Sequence, residues 1–431
     1  MGPQLLNAHR RGAQARRAAR TSPSGARRRK LVRGPRLHYT SAANVLLVGS
    51  LGMAAIVLAR TMGPTAFGDY SLAITLALVT QVILTAGTGV SVKLLHDDLG
   101  DHAFAPYTLI ALTSAVLSLV ALTAITTAFQ GSWGFGIAVG VYGVASLLAR
   151  QAIDGFHALG RSERAITLAA AAAMLNTVGV LALATLHLLT ATSAVLITAT
   201  SMLVPVIAFL RTVHPRTLWP FPASAHLPDA TRMVRLGLPT LGNSLGLMVL
   251  QRADRLVLAA FSGAAALGVY AVAAGLGELA RLAPTSIGQV GFYRSSQGDL
   301  RAQRRLRMLS VALATAIAVV MIAAAPFLVP WLFGPEYIGA VPMLQILAIG
   351  EVVFALSFVD SRLLLGRGAV GSVGAIGLAA AAVGVIVYLL LVPPFAGIGA
   401  ACGSVISYAL LSLMLAVAYA RSSRRLAARR R

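Results

Sequence analysis

Seven side chains in otherwise apolar stretches are the strongest candidates for chemistry: Gln251, Arg252, Asp254, Arg255, Glu278, Arg281 and Glu351. An ionisable group inside a membrane span costs about 2.5–3.5 kcal/mol on insertion scales, so each is a functional candidate by default. At about 100° per residue, Gln251, Arg252 and Arg255 fall on one side of a helix, and Ser244 extends that stripe. Asp254 points roughly opposite Arg252 and so toward another helix. The arginine fork matches two phosphate oxygens and stays charged at any useful pH. Arg252 and Arg255 in a cavity could therefore attract a diphosphate and repel cations. The structural alternative is that they snorkel to an interface or pair with Asp254 between helices.

Glu278 and Arg281 stand at i and i+3, a spacing that allows an ion pair on one helix face. Thr285 and Gln289 continue that polar stripe, and Pro284 predicts a kink. Glu351 has no basic residue near it in sequence, which makes it either a candidate proton carrier or a hydrogen-bonded packing group. Gln81, Thr85 and Thr88 share one side at i, i+4 and i+7. They could meet sugar hydroxyls, but joining helices is the better reading. His96 with Asp97, Asp98 and Asp101 reads as a solvated turn rather than a metal site.

The elements that carry these groups are set by composition. The chain has 431 residues, 57% hydrophobic and 11% charged, against about 25% charged in soluble domains. Apolar runs of span length recur at 41–60, 69–91, 104–128, 133–153, 165–186, 190–211, 234–260, 265–290, 307–331, 338–362, 370–392 and 397–420. Backbone groups in lipid must be satisfied within each segment, so an all-α membrane protein of about twelve helices is expected. The first run could pass for a signal peptide. It is long for one, and cleavage beyond it would cut into the repeat described below. The single cysteine, Cys402, excludes an internal disulfide and a cysteine metal site.

Charge suggests orientation. Of 36 Lys and Arg, 32 lie in or at the borders of segments on the side of the N-terminus, Arg60 alone lies on the other, and three are inside spans. The positive-inside rule then puts both termini in the cytoplasm. The net charge of +23 therefore argues for topology and anionic lipid, not for nucleic acid. The expected organisation is a basic, disordered tail over 1–40, a six-helix bundle over 41–211, a proline-rich linker over 212–233, a second bundle over 234–420 and a basic tail over 421–431.

The two bundles are related. Gly63, Ala66, Gly68, Tyr70 and Ala73 recur without a gap as Gly263, Ala266, Gly268, Tyr270 and Ala273. A second pattern, Asp154 to Gly160-Arg161, recurs as Asp360 to Gly366-Arg367, with each glycine expected to end a helix. With an even number of spans per half, these are parallel repeats about an axis along the membrane normal. In "LARTMGPTAFGDYSLA", "LGLPTLGNSLGLMVLQRADRLVLAAFSGAAALGVYAVAAGL" and "LFGPEYIGAVPMLQILAIGEV" the chain resembles the polysaccharide-unit flippases of the multidrug/oligosaccharidyl-lipid/polysaccharide exporter superfamily.

That resemblance covers most of residues 41–420 and implies two pseudo-symmetric six-helix bundles around a polar cavity. It implies a carrier that moves an undecaprenyl-pyrophosphate-linked oligosaccharide across the bacterial cytoplasmic membrane by alternating access. Arg252, Arg255, Arg281 and Gln251 would bind substrate, and Asp254, Glu278 and Glu351 would serve coupling or line the cavity. Expected partners are the lipid-linked glycan, membrane lipids and the glycan polymerase or glycosyltransferase machinery; no cofactor is expected. The alternatives are an ion-coupled drug or metabolite antiporter of the same superfamily, a lipid-linked peptidoglycan-precursor flippase, or a membrane-embedded glycan polymerase or transferase. Neither GxxxxGK[ST] nor HExxH occurs, and the short outer loops leave little room for an enzyme's site.

Overall fold

A computed structural model describes residues 37–296 and 299–428. The chain forms α1 (Leu37–Thr85), α2 (Thr88–Leu99), α3 (Phe104–Gln130), α4 (Trp133–Ala158), α5 (Ser162–Thr185), α6 (Ala191–Ser201) and α7 (Leu203–Leu210). A short α8 (Pro215–Leu218) leads to α9 (Ala223–Glu278), α10 (Leu282–Ser296), α11 (Leu300–Phe333), α12 (Ala340–Gly366) and α13 (Val370–Ala428). No strand occurs among the described residues. The all-helical fold follows from the need to satisfy every backbone group within its own segment in hydrocarbon.

Three helices are too long for one crossing. α1, α9 and α13 hold 49, 56 and 59 residues, and about 20 residues suffice to cross a bilayer. Each contains one non-helical residue: Gly63 in α1, Gly263 in α9 and Ala396 in α13. Gly63 and Gly263 are equivalent positions of the repeat, and they share a conformation, with φ 73°, ψ 173° and φ 79°, ψ 179°. That combination is open essentially to glycine alone. Among the described residues, eight continuous apolar stretches are long enough to span a membrane. Divided at these breaks and at the turns near Gly87 and Gly100, the helices cover the twelve expected segments.

Several boundaries differ from expectation. The N-terminal tail lies outside the described residues as far as 36, and α1 is already helical from Leu37. α13 runs on to Ala428, so the basic C-terminal stretch begins as a continuation of the last span. The linker is partly helical too, because α9 starts at Ala223, directly after Pro222. Gly160 ends its helix as expected, at φ 71°. Gly366 does not; the left-handed residue is Gly368, at φ 80°. A Cβ on Gly366 would crowd the Phe292 carbonyl of α10, so its smallness serves helix packing and the turn moves two residues on.

The repeat also joins the halves. A Cβ on Gly68 would overlap the Ala264 carbonyl oxygen, and one on Gly268 would overlap the Pro64 carbonyl oxygen. Pro64 and Ala264 are themselves equivalent, so the contact is reciprocal about the pseudo-two-fold axis. Toward the other end of the spans, the backbones of Gly87 and Gly237 meet as closely. Lipid supplies no hydrophobic drive for helix association, so close backbone approach of small residues does that work. Between these two contacts lies a buried cluster drawn from both halves, including Leu58, Phe67, Tyr270, Tyr337 and Tyr388.

A charged cluster and two cavities between the halves

The candidate side chains meet on the second half. Arg252 donates from both terminal nitrogens to Glu278, at 2.9 and 3.3 Å. Arg255 donates to the same carboxylate, Nη2 to Oε1, at 2.6 Å. Two guanidinium groups therefore share one carboxylate. One turn further along, Arg281 donates to Glu351 through Nε and Nη2, at 2.7 and 2.6 Å, and also to the Tyr408 hydroxyl at 2.9 Å. Its guanidinium lies over the Phe354 ring at 4.7 Å.

This pairing differs from the spacing-based expectation. Glu278 does not pair with Arg281, although i, i+3 would allow it within one helix. The helix breaks between them: α9 ends at Glu278, residues Leu279–Arg281 form a 3-10 turn, and α10 begins at Leu282. The turn releases Arg281 toward α12, where it meets Glu351. The expected kink is thus present, but just before Pro284. Glu351 does have a basic partner, distant in sequence, and its side chain is 3% exposed. Gln251, half-buried one residue before Arg252, takes no part in the ion-pair network. The side chain of Gln289 lies outside the described residues.

Asp254 does face away from these arginines, as helical geometry required. It accepts from the Tyr270 hydroxyl at 2.6 Å and from Ser404 at 3.4 Å. Tyr388 reaches the same serine at 3.2 Å. A buried carboxylate without an arginine side chain thus rests on two hydroxyls and on the Arg255 backbone N–H at 2.7 Å. Tyr388, Tyr408 and Ser404 were not singled out from sequence, because a hydroxyl in an apolar run carries no periodic signal. For Tyr270 the repeat does offer one. Its equivalent, Tyr70, meets Thr198 at 3.3 Å, as Tyr270 meets Ser404 at 3.4 Å.

The repeat explains why a cavity faces the arginines. Positions 251, 252, 254 and 255 are Gln, Arg, Asp and Arg; their equivalents 51, 52, 54 and 55 are Leu, Gly, Ala and Ala. Where the second half carries charge, the first half is apolar and mostly small. The space left is a cavity of about 160 Å³, bordered by Leu51, Ala54, Tyr70, Ser71, Asn176 and Arg255 among others. Asn176, from α5, was missed by sequence reading because a lone amide in an alanine-rich helix has no pattern around it.

A second cavity, of about 530 Å³, lies nearer the arginine-rich loops. Gln81, Thr85, Lys93, Arg150, Asp154, His157 and Ser244 border it. Asp154 pairs with Arg150 at 3.2 Å, and Asp360 pairs with Arg307 at 2.6 Å. Gln81 ties α1 to α4 through the Ser146 carbonyl at 2.7 Å, and Thr88 bonds the Thr85 carbonyl at 2.6 Å. His96 bonds the Gly100 carbonyl and Asp98 pairs with Arg232, so that acidic cluster is engaged in local and inter-helix contacts.

Fold and charged interior together define a multi-pass membrane protein built from two pseudo-symmetric helical bundles. The profile of the polysaccharide biosynthesis protein family matches residues 45–298, more than half of the sequence, and the chain belongs to that family. None of the curated proteins compared with it matches in sequence. Solved structures match throughout. The lipid II flippase MurJ in an inward closed conformation superposes with a TM-score of 0.72 at 13% identity, covering 88% of this chain and 87% of that one. An inward-facing multidrug resistance MATE family transporter of the MOP superfamily gives 0.66 at 15% identity, covering 88% and 95%. The eukaryotic MATE transporter AtDTX14 gives 0.63 at 14%, covering 90% and 97%. At such identities the likeness is one of fold.

Proposed function

We propose that this protein carries a polyprenyl-diphosphate-linked oligosaccharide across the bacterial cytoplasmic membrane, with both termini in the cytoplasm. The observation that carries the reading is the sharing of Glu278 by Arg252 and Arg255 at the boundary of the two halves. Two guanidinium groups share one carboxylate on this face, in a medium where charge is costly, while Asp254 is held on the other side by Tyr270 and Ser404. A diphosphate entering from the cavity supplies a second anion, and the arginine fork fits it. Arg281 is already matched by Glu351 and acts from behind, as a rigid support.

Glu278 then has a definite part. With no substrate it holds the two arginines together; with substrate bound it competes for them, which favours release after the halves rearrange. Asp254, held by Tyr270 and Ser404, is the group best placed to couple that rearrangement to an ion or proton. Reconstitution of the full chain in proteoliposomes with a fluorescent lipid-linked oligosaccharide tests the reading. Wild type is expected to move the label between leaflets, and Arg252→Ala and Arg255→Ala to slow it by about tenfold or more each, the scale of one lost charge-assisted bond. Unaltered flipping in both variants would remove the assignment.

A further inference from the structure

The small cavity beside Arg255 holds a pattern that the ion pairs do not explain. Two buried polar atoms that belong to its lining residues have no hydrogen-bond partner: the Nε of Arg255 and the amide oxygen of Asn176. One comes from the second half and the other from the first. Asn176 is 3% exposed, and the Arg255 side chain 11%. An unsatisfied buried polar group costs about 1–3 kcal/mol, so a pair sharing one cavity marks a place where something else binds.

The chemistry of the two atoms selects the ligand. Arg255 spends Nη2 on Glu278, and its Nε is the buried donor left without a partner. The Asn176 carboxamide supplies an acceptor and, on its other atom, a donor. A group that accepts from one and donates to the other is a hydroxyl. Apart from Ser71, the remaining walls are apolar or aromatic, among them Leu58, Phe67 and Tyr70, which suits the C–H faces of a ring bearing several hydroxyls. At about 30 Å³ per water in the liquid, 160 Å³ equals roughly five waters, room for one ring and not for a chain of them.

We propose that this cavity is a saccharide subsite: Asn176 and the Nε edge of Arg255 hold a hydroxyl of the sugar attached to the diphosphate. The inference rests on the proposed function and deepens it. One guanidinium then reads two adjacent parts of the same ligand. Its Nη edge, shared with Glu278, faces the diphosphate, and its Nε edge faces the first sugar. The small residues at 54 and 55, where the second half has Asp254 and Arg255, are what make the room.

The test compares two lipids in proteoliposomes, polyprenyl diphosphate alone and the same lipid carrying a saccharide, with wild type, Asn176→Ala and Asn176→Asp. The aspartate variant keeps the shape of the side chain and removes its N–H donor, without large loss of volume. Both variants are expected to slow the sugar-bearing lipid about tenfold and to leave the bare lipid within about twofold of wild type, the effect of one lost hydrogen-bonded pair. Arg255→Ala is expected to slow both lipids. Should one asparagine variant fail to insert, the other carries the comparison. If wild type moves both lipids and the folded asparagine variants slow both equally, or neither, the subsite is wrong while the diphosphate site stands. If wild type moves neither lipid, the reading as a lipid-diphosphate carrier falls and the subsite with it.

Discussion

At the scale of single residues, burial makes the two ion-pair groups unequal. The Glu351 side chain is 3% exposed and that of Glu278 is 28% exposed. Removing one partner of a buried pair strands the other, at about 3–5 kcal/mol. Glu351→Gln is therefore expected to lower thermal stability in detergent sharply. The double variant Arg281→Met/Glu351→Leu should recover most of the loss, because both charges leave together. Equal stability of wild type and the Glu351 single variant would show that the pair contributes nothing. Glu278→Gln has another signature, since it frees two arginines, of which Arg255 borders a cavity. The variant is expected to be less stable alone, to be stabilised by polyprenyl diphosphate more than wild type is, and to release it more slowly. A thermal-shift titration reads this; a smaller ligand-induced shift than in wild type would contradict it. The positions of these seven residues were legible in sequence because charge in an apolar run stands out. Their pairing was not, since it depends on a 3-10 turn after Glu278 that no spacing rule reveals.

At the scale of elements, breaks in the helices do the positioning. The second span of each half is interrupted: α1 stops at Thr85 and α2 starts at Thr88, while α9 stops at Glu278 and α10 starts at Leu282. Interrupted spans at corresponding places in two repeats mark a binding region, because they free backbone and side chains to face a cavity. The first break borders the larger cavity and the second carries the ion pairs. The reciprocal contact of Gly68 and Gly268 joins the halves at the far end. Gly68→Ala or Gly268→Ala must push the two halves apart there, since the added carbon meets backbone rather than a movable side chain. With Cys402→Ala as background, a cysteine placed at Ala264 is expected to react faster with a membrane-impermeant thiol reagent in the Gly68→Ala variant. No change in rate would show that this contact does not seal that end. The repeat was read from sequence as a mark of two halves. That its glycines touch each other across the axis is a fact of assembly, which no single copy contains.

At the scale of the whole molecule, the two halves share a backbone plan and differ in polarity. Charged positions in α9 face apolar and mostly small equivalents in α1, so the interior is built from one furnished and one emptied wall. The charge on the loops suggests a fixed orientation in the membrane. On the same cysteine-free background, a cysteine at His187 is expected to be labelled by an impermeant reagent from outside intact cells. One at His214 is expected to be labelled only after permeabilisation. Labelling from the outside at 214 and not at 187 would reverse the proposed topology.

The amino-acid sequence on its own determined the helical class, the approximate spans, the duplication and the identity of the charged groups. These follow from local rules: hydrocarbon thickness fixes segment length, unsatisfied backbone forces helices, and charge is conspicuous where it is costly. Only the tertiary structure decided which arginine meets which carboxylate, that Asn176 and Arg255 share a cavity, and that the repeated glycines form the joint. Those are relations between segments tens to hundreds of residues apart, and they depend on how helices pack, a choice that in lipid is made by shape and hydrogen bonding rather than by apolar pattern.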